Sequence, residues 1–125
     1  DCIQLAFQKR GESSRKGIEG ATCELGLAKT PQGPVVHEWR PQNIDLPLDT
    51  GRQLAISRQG DLTRYEAAIA WSDLEVQTMA EKSQLLWSFT INDNDGEKFK
   101  GWLEWTPGIC GGKSAADFGR LDLCP

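Results

Sequence analysis

Ile91-Asn92-Asp93-Asn94-Asp95-Gly96, followed by Gly101-Trp102-Leu103-Glu104-Trp105-Thr106-Pro107-Gly108-Ile109, is the stretch on which the fold turns. Upstream of it, from Gln84, Leu85, Trp87, Phe89 and Ile91 alternate with Leu86, Ser88 and Thr90. That period of two is a strand with two different faces. The Asn/Asp run reverses the chain, because Asn, Asp and Gly tolerate the backbone angles of a tight turn. A second strand, Trp102 to Thr106, leaves the turn with tryptophans on both faces and breaks at Pro107-Gly108. Oxygen ligands, aromatic planes and a reversal are concentrated here as nowhere else in the chain.

The same alternation recurs outward from this point. Ile3, Leu5 and Phe7 alternate with Cys2, Gln4 and Ala6, and Cys23, Leu25 and Leu27 follow across a polar loop from Gln8 to Gly20. The two segments read as an antiparallel hairpin. Val35 to Trp39 is a short strand, and Pro41 to Gly51, with two prolines, reads as an irregular excursion. Leu54 to Arg58 and Leu62 to Ile69 flank Gln59-Gly60-Asp61 as a second hairpin. Ser72 before Asp73 fits the cap of a short helical turn, and Phe118 to Cys124 closes the chain as a strand. Roughly seven or eight short strands with little helix predict an all-β, antiparallel β-sandwich. The 125 residues form one domain, with no interior linker, repeat or low-complexity tract.

Composition bounds the function. A hydrophobic fraction of 38%, before 13 glycines are counted, belongs to a chain that folds. The net charge of −4 argues against nucleic acid, since a phosphate backbone needs a basic surface. Lys9-Arg10 and Arg15-Lys16 flank Gly11-Glu12-Ser13-Ser14 and read as a solvated loop. No apolar run approaches the roughly 20 residues that cross a bilayer. The chain begins at Asp1 rather than Met, which reads as processing or excision from something longer. Cys2, Cys23, Cys110 and Cys124 form no CxxC and no metal-ligand spacing. Two readings stand for them: two disulfides of a secreted protein, in one of three pairings, or four partly buried thiols.

Three sets of residues carry chemistry. Asn92, Asp93 and Asp95, with Glu97 close by, supply the oxygens a calcium ion takes; the competing reading is a plain hairpin turn. Sugars pack their C–H groups on aromatic faces and direct hydroxyls to planar polar side chains. Of the five tryptophans, Trp87, Trp105 and Trp71 share faces with aliphatic residues and read as core. Trp39, between Glu38 and Arg40, and Trp102, beside Glu104, are the candidate platforms; tryptophans packed at a sheet edge or interface are the alternative. Catalysis has little support. His37 is the single histidine, and Glu38, Glu66 and Glu104 cannot be placed at the separation of a glycosidase pair.

These residues resemble a family. Asp1-Cys2-Ile3-Gln4-Leu5-Ala6-Phe7 is similar to the opening "D-x-I-Q-hydrophobic-A-F" strand of family 9 carbohydrate-binding modules, within the wider DOMON-like β-sandwiches. Tyr65 to Leu74 is similar to their "Y-E-x-A-I-P-W-S-x-L" segment. Phe89 to Gly96, Gly101 to Ile109, Lys113 and Phe118-Gly119-Arg120-Leu121 resemble their closing signature. The chain departs at Ala70 for a proline, Phe99 for an arginine, Cys110 for a glycine and Ser114 for an aspartate, and several strands that precede this segment in the family are missing. The resemblance implies an extracellular or periplasmic, calcium-containing sandwich that binds a mono- or oligosaccharide without cleaving it. The residues it would use are Trp39, Trp102 and Glu104 for sugar and Asn92, Asp93 and Asp95 for calcium. The missing strands leave sheet edges unpaired, which invites a homo-oligomer. A structural module that self-associates through an open edge, with no sugar, is the alternative function.

Overall fold

The computed structural model describes residues 1–9, 22–40, 44–49, 51–74, 84–94, 97–112 and 114–122. The predicted loop from Gln8 to Gly20 falls mostly outside them, as do Asp95, Lys113 and Cys124. Nine strands appear among the described residues: β1 (Cys2–Lys9), β2 (Cys23–Thr30), β3 (Gly33–Arg40), β4 (Ile44–Leu46), β5 (Arg52–Gln59), β6 (Leu62–Ile69), β7 (Gln84–Asn94), β8 (Phe99–Glu104) and β9 (Gly119–Asp122). Short 3₁₀ turns occupy Trp71–Leu74 and Ala115–Asp117. All strand pairing is antiparallel. One sheet runs β4-β3-β2-β1-β7-β8, with β9 pairing the first half of β7 on the side where β8 pairs the second; β5-β6 forms a separate two-stranded sheet. The all-β, antiparallel expectation therefore holds.

Strand alternation sorts the large sheet into two faces. Its inner face carries Ile3, Leu5 and Phe7 of β1, Cys23, Leu25 and Leu27 of β2, Val36 of β3 and Leu85 and Trp87 of β7. Leu46 of β4 extends this face beside Val36, and Leu54 and Ile56 of β5, Tyr65 and Ile69 of β6 and Leu74 close over it. Leu25 and Leu85, each 1% exposed, sit at its centre, and each contributes about 1.5–3 kcal/mol by leaving water. The Gly60-Asp61 turn joins β5 to β6, with Gly60 at φ 59°.

On the outer face the segment after β8 folds back over the sheet. Ile109, Ala115 and Phe118 bury Ala6. Ser88 and Thr90, fully buried, are satisfied because Ser88 Oγ donates to the Thr106 carbonyl at 2.6 Å and Thr90 Oγ1 to the Leu103 carbonyl at 3.1 Å.

Three expectations are corrected. Residues 44–46, inside the predicted excursion, form β4 against β3. Trp105 is 48% exposed and Trp71 43% exposed, so neither is a core residue. For Trp105 the reason is coverage. A two-stranded sheet cannot roof a sheet six strands wide, and the inner face beyond β7 stays open. Trp105 instead joins an aromatic ladder at the margin, 5.1 Å from Trp87 and stacked 6.0 Å from Phe89.

Candidate functional site

The outer face over β1, β2 and β3 is not covered by the returning segment. It forms a depression of about 440 Å³ lined by Cys2, Gly26, Ala28, Val35, His37, Trp39 and Asp45, among others. That volume lies in the range of small-molecule sites, roughly 300–1,000 Å³. Its floor exists because residue 26 has no side chain. A Cβ there would stand 2.6 Å from Cη2 and 2.8 Å from Cζ3 of Trp39. The glycine lets the six-membered ring of Trp39 settle against β2, while the residue keeps 37% of its surface exposed.

A planar polar group stands against the ring. His37, two residues before Trp39 and on the same face, meets it edge-on at 5.0 Å. Its Nδ1 lies 2.7 Å from Oδ1 of Asp45, which β4 places directly opposite. An ionised aspartate only accepts, so Nδ1 carries the proton of this contact and the ring is fixed in orientation. On the other side of Gly26, the register puts Gln4 opposite it, and the Gln4 amide donates to Oε1 of the buried Glu24. A carboxylate that fixes an amide makes it an oriented donor and acceptor. An aromatic plane flanked by oriented polar groups fits a neutral, hydroxyl-rich ring.

No family model, characterised protein or solved structure matches the chain.

The residues predicted from sequence are scattered over this frame. Trp39 lies in the depression. Trp102 projects from the same face, since it pairs with Asn92, two residues beyond Thr90. Three strands separate β3 from β8, which puts about 19 Å of sheet between the two tryptophans. Glu104 serves the fold: its Oε1 accepts from the backbone N–H groups of Ile109 at 2.6 Å and Cys110 at 3.0 Å. It thereby pins the segment that covers Ala6.

Asn92 and Asp93, neighbours along β7, point to opposite faces. The Asn92 amide meets Cys2 Sγ at 3.6 Å on the outer face, whereas Asp93 opens onto the opposite side with Ile91. The two side chains are thus not brought together, and Asp95 lies outside the described residues. Among the described residues no three His, Cys, Asp or Glu side chains cluster as metal ligands. Cys2, Cys23 and Cys110 are free thiols, so the two-disulfide reading does not hold in this structure. The register explains part of it: Cys23 faces the inner core, while Cys2 and Cys110 lie on the outer side.

A second polar cluster is buried behind β3. Glu38, two residues beyond Val36 and paired with Leu25, faces inward on β3, where it is 8% exposed. Arg52 and Asp73 pair nearby at 2.6 Å. Burial raises the Glu38 carboxyl above its ordinary range, against the lowering effect of Arg52. The Cys23 thiol is pushed up to about 12, first by burial and then by Glu38 and Asp73. A thiol held protonated is no nucleophile at neutral pH, so this cluster belongs to the scaffold.

In the depression itself a nucleophile–base pair is not assembled. Cys2 and His37 both line it, but β2 lies between their strands, about 10 Å of sheet.

His37–Asp45, Gln4–Glu24 and Gly26 were not singled out from the sequence. The spacing of His37 and Trp39 puts them on one face and could have linked them. The other pairings are made across strands, and no local pattern announces them.

Proposed function

We propose that this protein is a non-catalytic carbohydrate-binding β-sandwich of the kind it resembles, the family 9 modules and their DOMON-like relatives. A mono- or oligosaccharide stacks one face on Trp39 in the depression over Gly26. His37, oriented by Asp45, and Gln4, oriented by Glu24, receive its hydroxyls. The observation that carries this reading is the seating of the Trp39 ring on Gly26 beside the oriented His37–Asp45 pair. Trp102, four strands away, belongs to a different surface. Calcium at the Asn/Asp turn is no part of the binding chemistry on this reading, and a location outside the cytoplasm rests on the resemblance alone.

The test is titration calorimetry against gluco-, xylo- and galacto-oligosaccharides, on wild type, Trp39→Ala and Trp102→Ala. Binding that Trp39→Ala abolishes and Trp102→Ala leaves intact is the expected result. Absence of heat with every saccharide class, from folded protein, would remove the proposal.

A further inference from the structure

Resting on the carbohydrate reading of this site, we infer that its ligand is a linear oligosaccharide laid along β2, not a single sugar ring. The depression is longer than the seat of Trp39. It runs over three successive outward positions of β2, Gly26, Ala28 and Thr30, and ends beside Gln32 in the turn to β3. Outward and inward positions alternate along a strand, so these three span about 13 Å. A sugar ring stacked on the Trp39 indole covers only the first of them.

The three levels differ in chemistry. At the first, Gly26 pairs with His37 and His37 with Asp45, which puts the oriented imidazole beside the Trp39 ring. At the second, the register sets Cys2, Ala28 and Val35 side by side across β1, β2 and β3. All three line the depression, and none carries a strong hydrogen-bonding group. At the third, Thr30 Oγ1 is engaged in the turn, donating to the Gly33 carbonyl at 2.9 Å and accepting from the Gln32 N–H at 3.2 Å. The exposed Gln32, which also lines the depression, supplies a planar amide at that end.

Polar, apolar and polar levels thus succeed one another along one strand. A chain of sugars matches that order. Hydroxyls of its outer units meet the planar groups of His37 and Gln32, while the C–H face of the unit between them lies over Ala28. A lone ring on Trp39 would leave the Cys2–Ala28–Val35 level in water. Side-chain size keeps the path open: Gly26 and Ala28 make a low floor, and His37 and Val35 rise beside it from β3. A larger residue at 28 would obstruct a chain without displacing the Trp39 ring, which contacts Gly26.

Calorimetry with glucose, xylose and galactose, and with their linear β-1,4-linked di-, tri- and tetrasaccharides, tests this on wild type, Ala28→Ile and Gln32→Ala. In the series that binds, wild-type affinity is expected to rise by about tenfold or more from monosaccharide to trisaccharide. Ala28→Ile adds bulk but no aromatic plane, on a strand that accepts β-branched residues; it should flatten that rise, and Gln32→Ala should diminish it. Thermal melts establish that each variant is folded, and the wild-type series decides the main point without any variant. Wild-type affinity that does not grow with chain length overturns the inference and leaves the carbohydrate reading standing. A rise that survives unchanged in folded Ala28→Ile and Gln32→Ala overturns the placement along β2. Absence of heat with every saccharide, from folded protein, removes both.

Discussion

Gly26→Ala probes the seat of Trp39 with a single methyl group. The new Cβ would stand 2.6 Å from the ring, whereas ordinary contact begins at 3.4 Å. The ring must therefore retreat by about 0.8 Å, and overpacking of this kind costs about 1–3 kcal/mol. Trp39 is 37% exposed and can tilt toward solvent, which places the cost at the low end. Replacing a strand glycine by alanine returns about 0.5–1 kcal/mol of backbone entropy. The net destabilisation is then about 0.5 kcal/mol at most, a fall in Tm of no more than about 2 °C for a domain of this size. Sugar binding should suffer more than stability, because the stacking plane is lifted away from His37 and Gln4. The expected outcome is a loss of affinity of at least about tenfold, equivalent to 1.4 kcal/mol, read by calorimetry beside a thermal melt. A variant that binds as tightly as wild type refutes the platform assignment.

Three further outcomes follow from the same geometry. Glu104→Ala removes the acceptor for the Ile109 and Cys110 N–H groups; it should cost about 2–4 kcal/mol in urea unfolding while sugar affinity is retained. Glu38 has a folded pKa raised above the unfolded value, so the native state holds that proton more tightly and stability falls as pH rises from about 4.5 through the raised value. Urea midpoints of Glu38→Gln relative to wild type should thus improve between acid and neutral pH, and an unchanged or reversed difference would contradict the burial of an ionised Glu38. Cys23, with its thiol pushed up to about 12 and 1% exposed, should resist iodoacetamide at pH 8 in the native protein and react in denaturant, as peptide mass spectrometry would show.

Much of the fold was legible because it is local. The hairpins β1–β2 and β5–β6 and the two-faced pattern of β7 follow from residues within a few positions of each other. So does the short turn at Trp71–Leu74, although it opens at Trp71 and so takes in Ser72, the expected cap, as a turn residue. The pairing of β1 with β7 joins residues some 90 positions apart, Cys2 with Asn92 among them, and nothing in either segment specifies it. The reading of Trp105 as core failed for a related reason, and Leu103 on the same face is exposed with it. Alternation places them correctly on the inner face, but whether a face is covered depends on how many strands the opposing sheet supplies. Here it supplies two. β4 was missed because prolines at 41 and 47 flank it, and a three-residue strand leaves too few positions for a period to register.

The polar wealth of residues 91–109 serves architecture more than ligand chemistry. The Glu104 carboxylate holds down the covering segment, the Asn92 amide meets Cys2, and the Asn94 N–H is taken by Oδ1 of Asp1. A sheet whose outer face is partly roofed by an irregular segment must satisfy every backbone group that segment buries, and side chains at the nearest strand end are within reach to do it. Dense local polarity at a strand–turn–strand corner is therefore what the fold itself demands. The better candidate for recognition lies where local polarity is sparse, on β2 and β3, where a glycine leaves room for one aromatic ring. Its polar partners come from β1 and β4. Binding surfaces on a sheet are built across strands, so their residues are spread through the sequence at intervals set by topology. Gln4, Glu24, Gly26, His37 and Asp45 become neighbours only once β1 to β4 have paired.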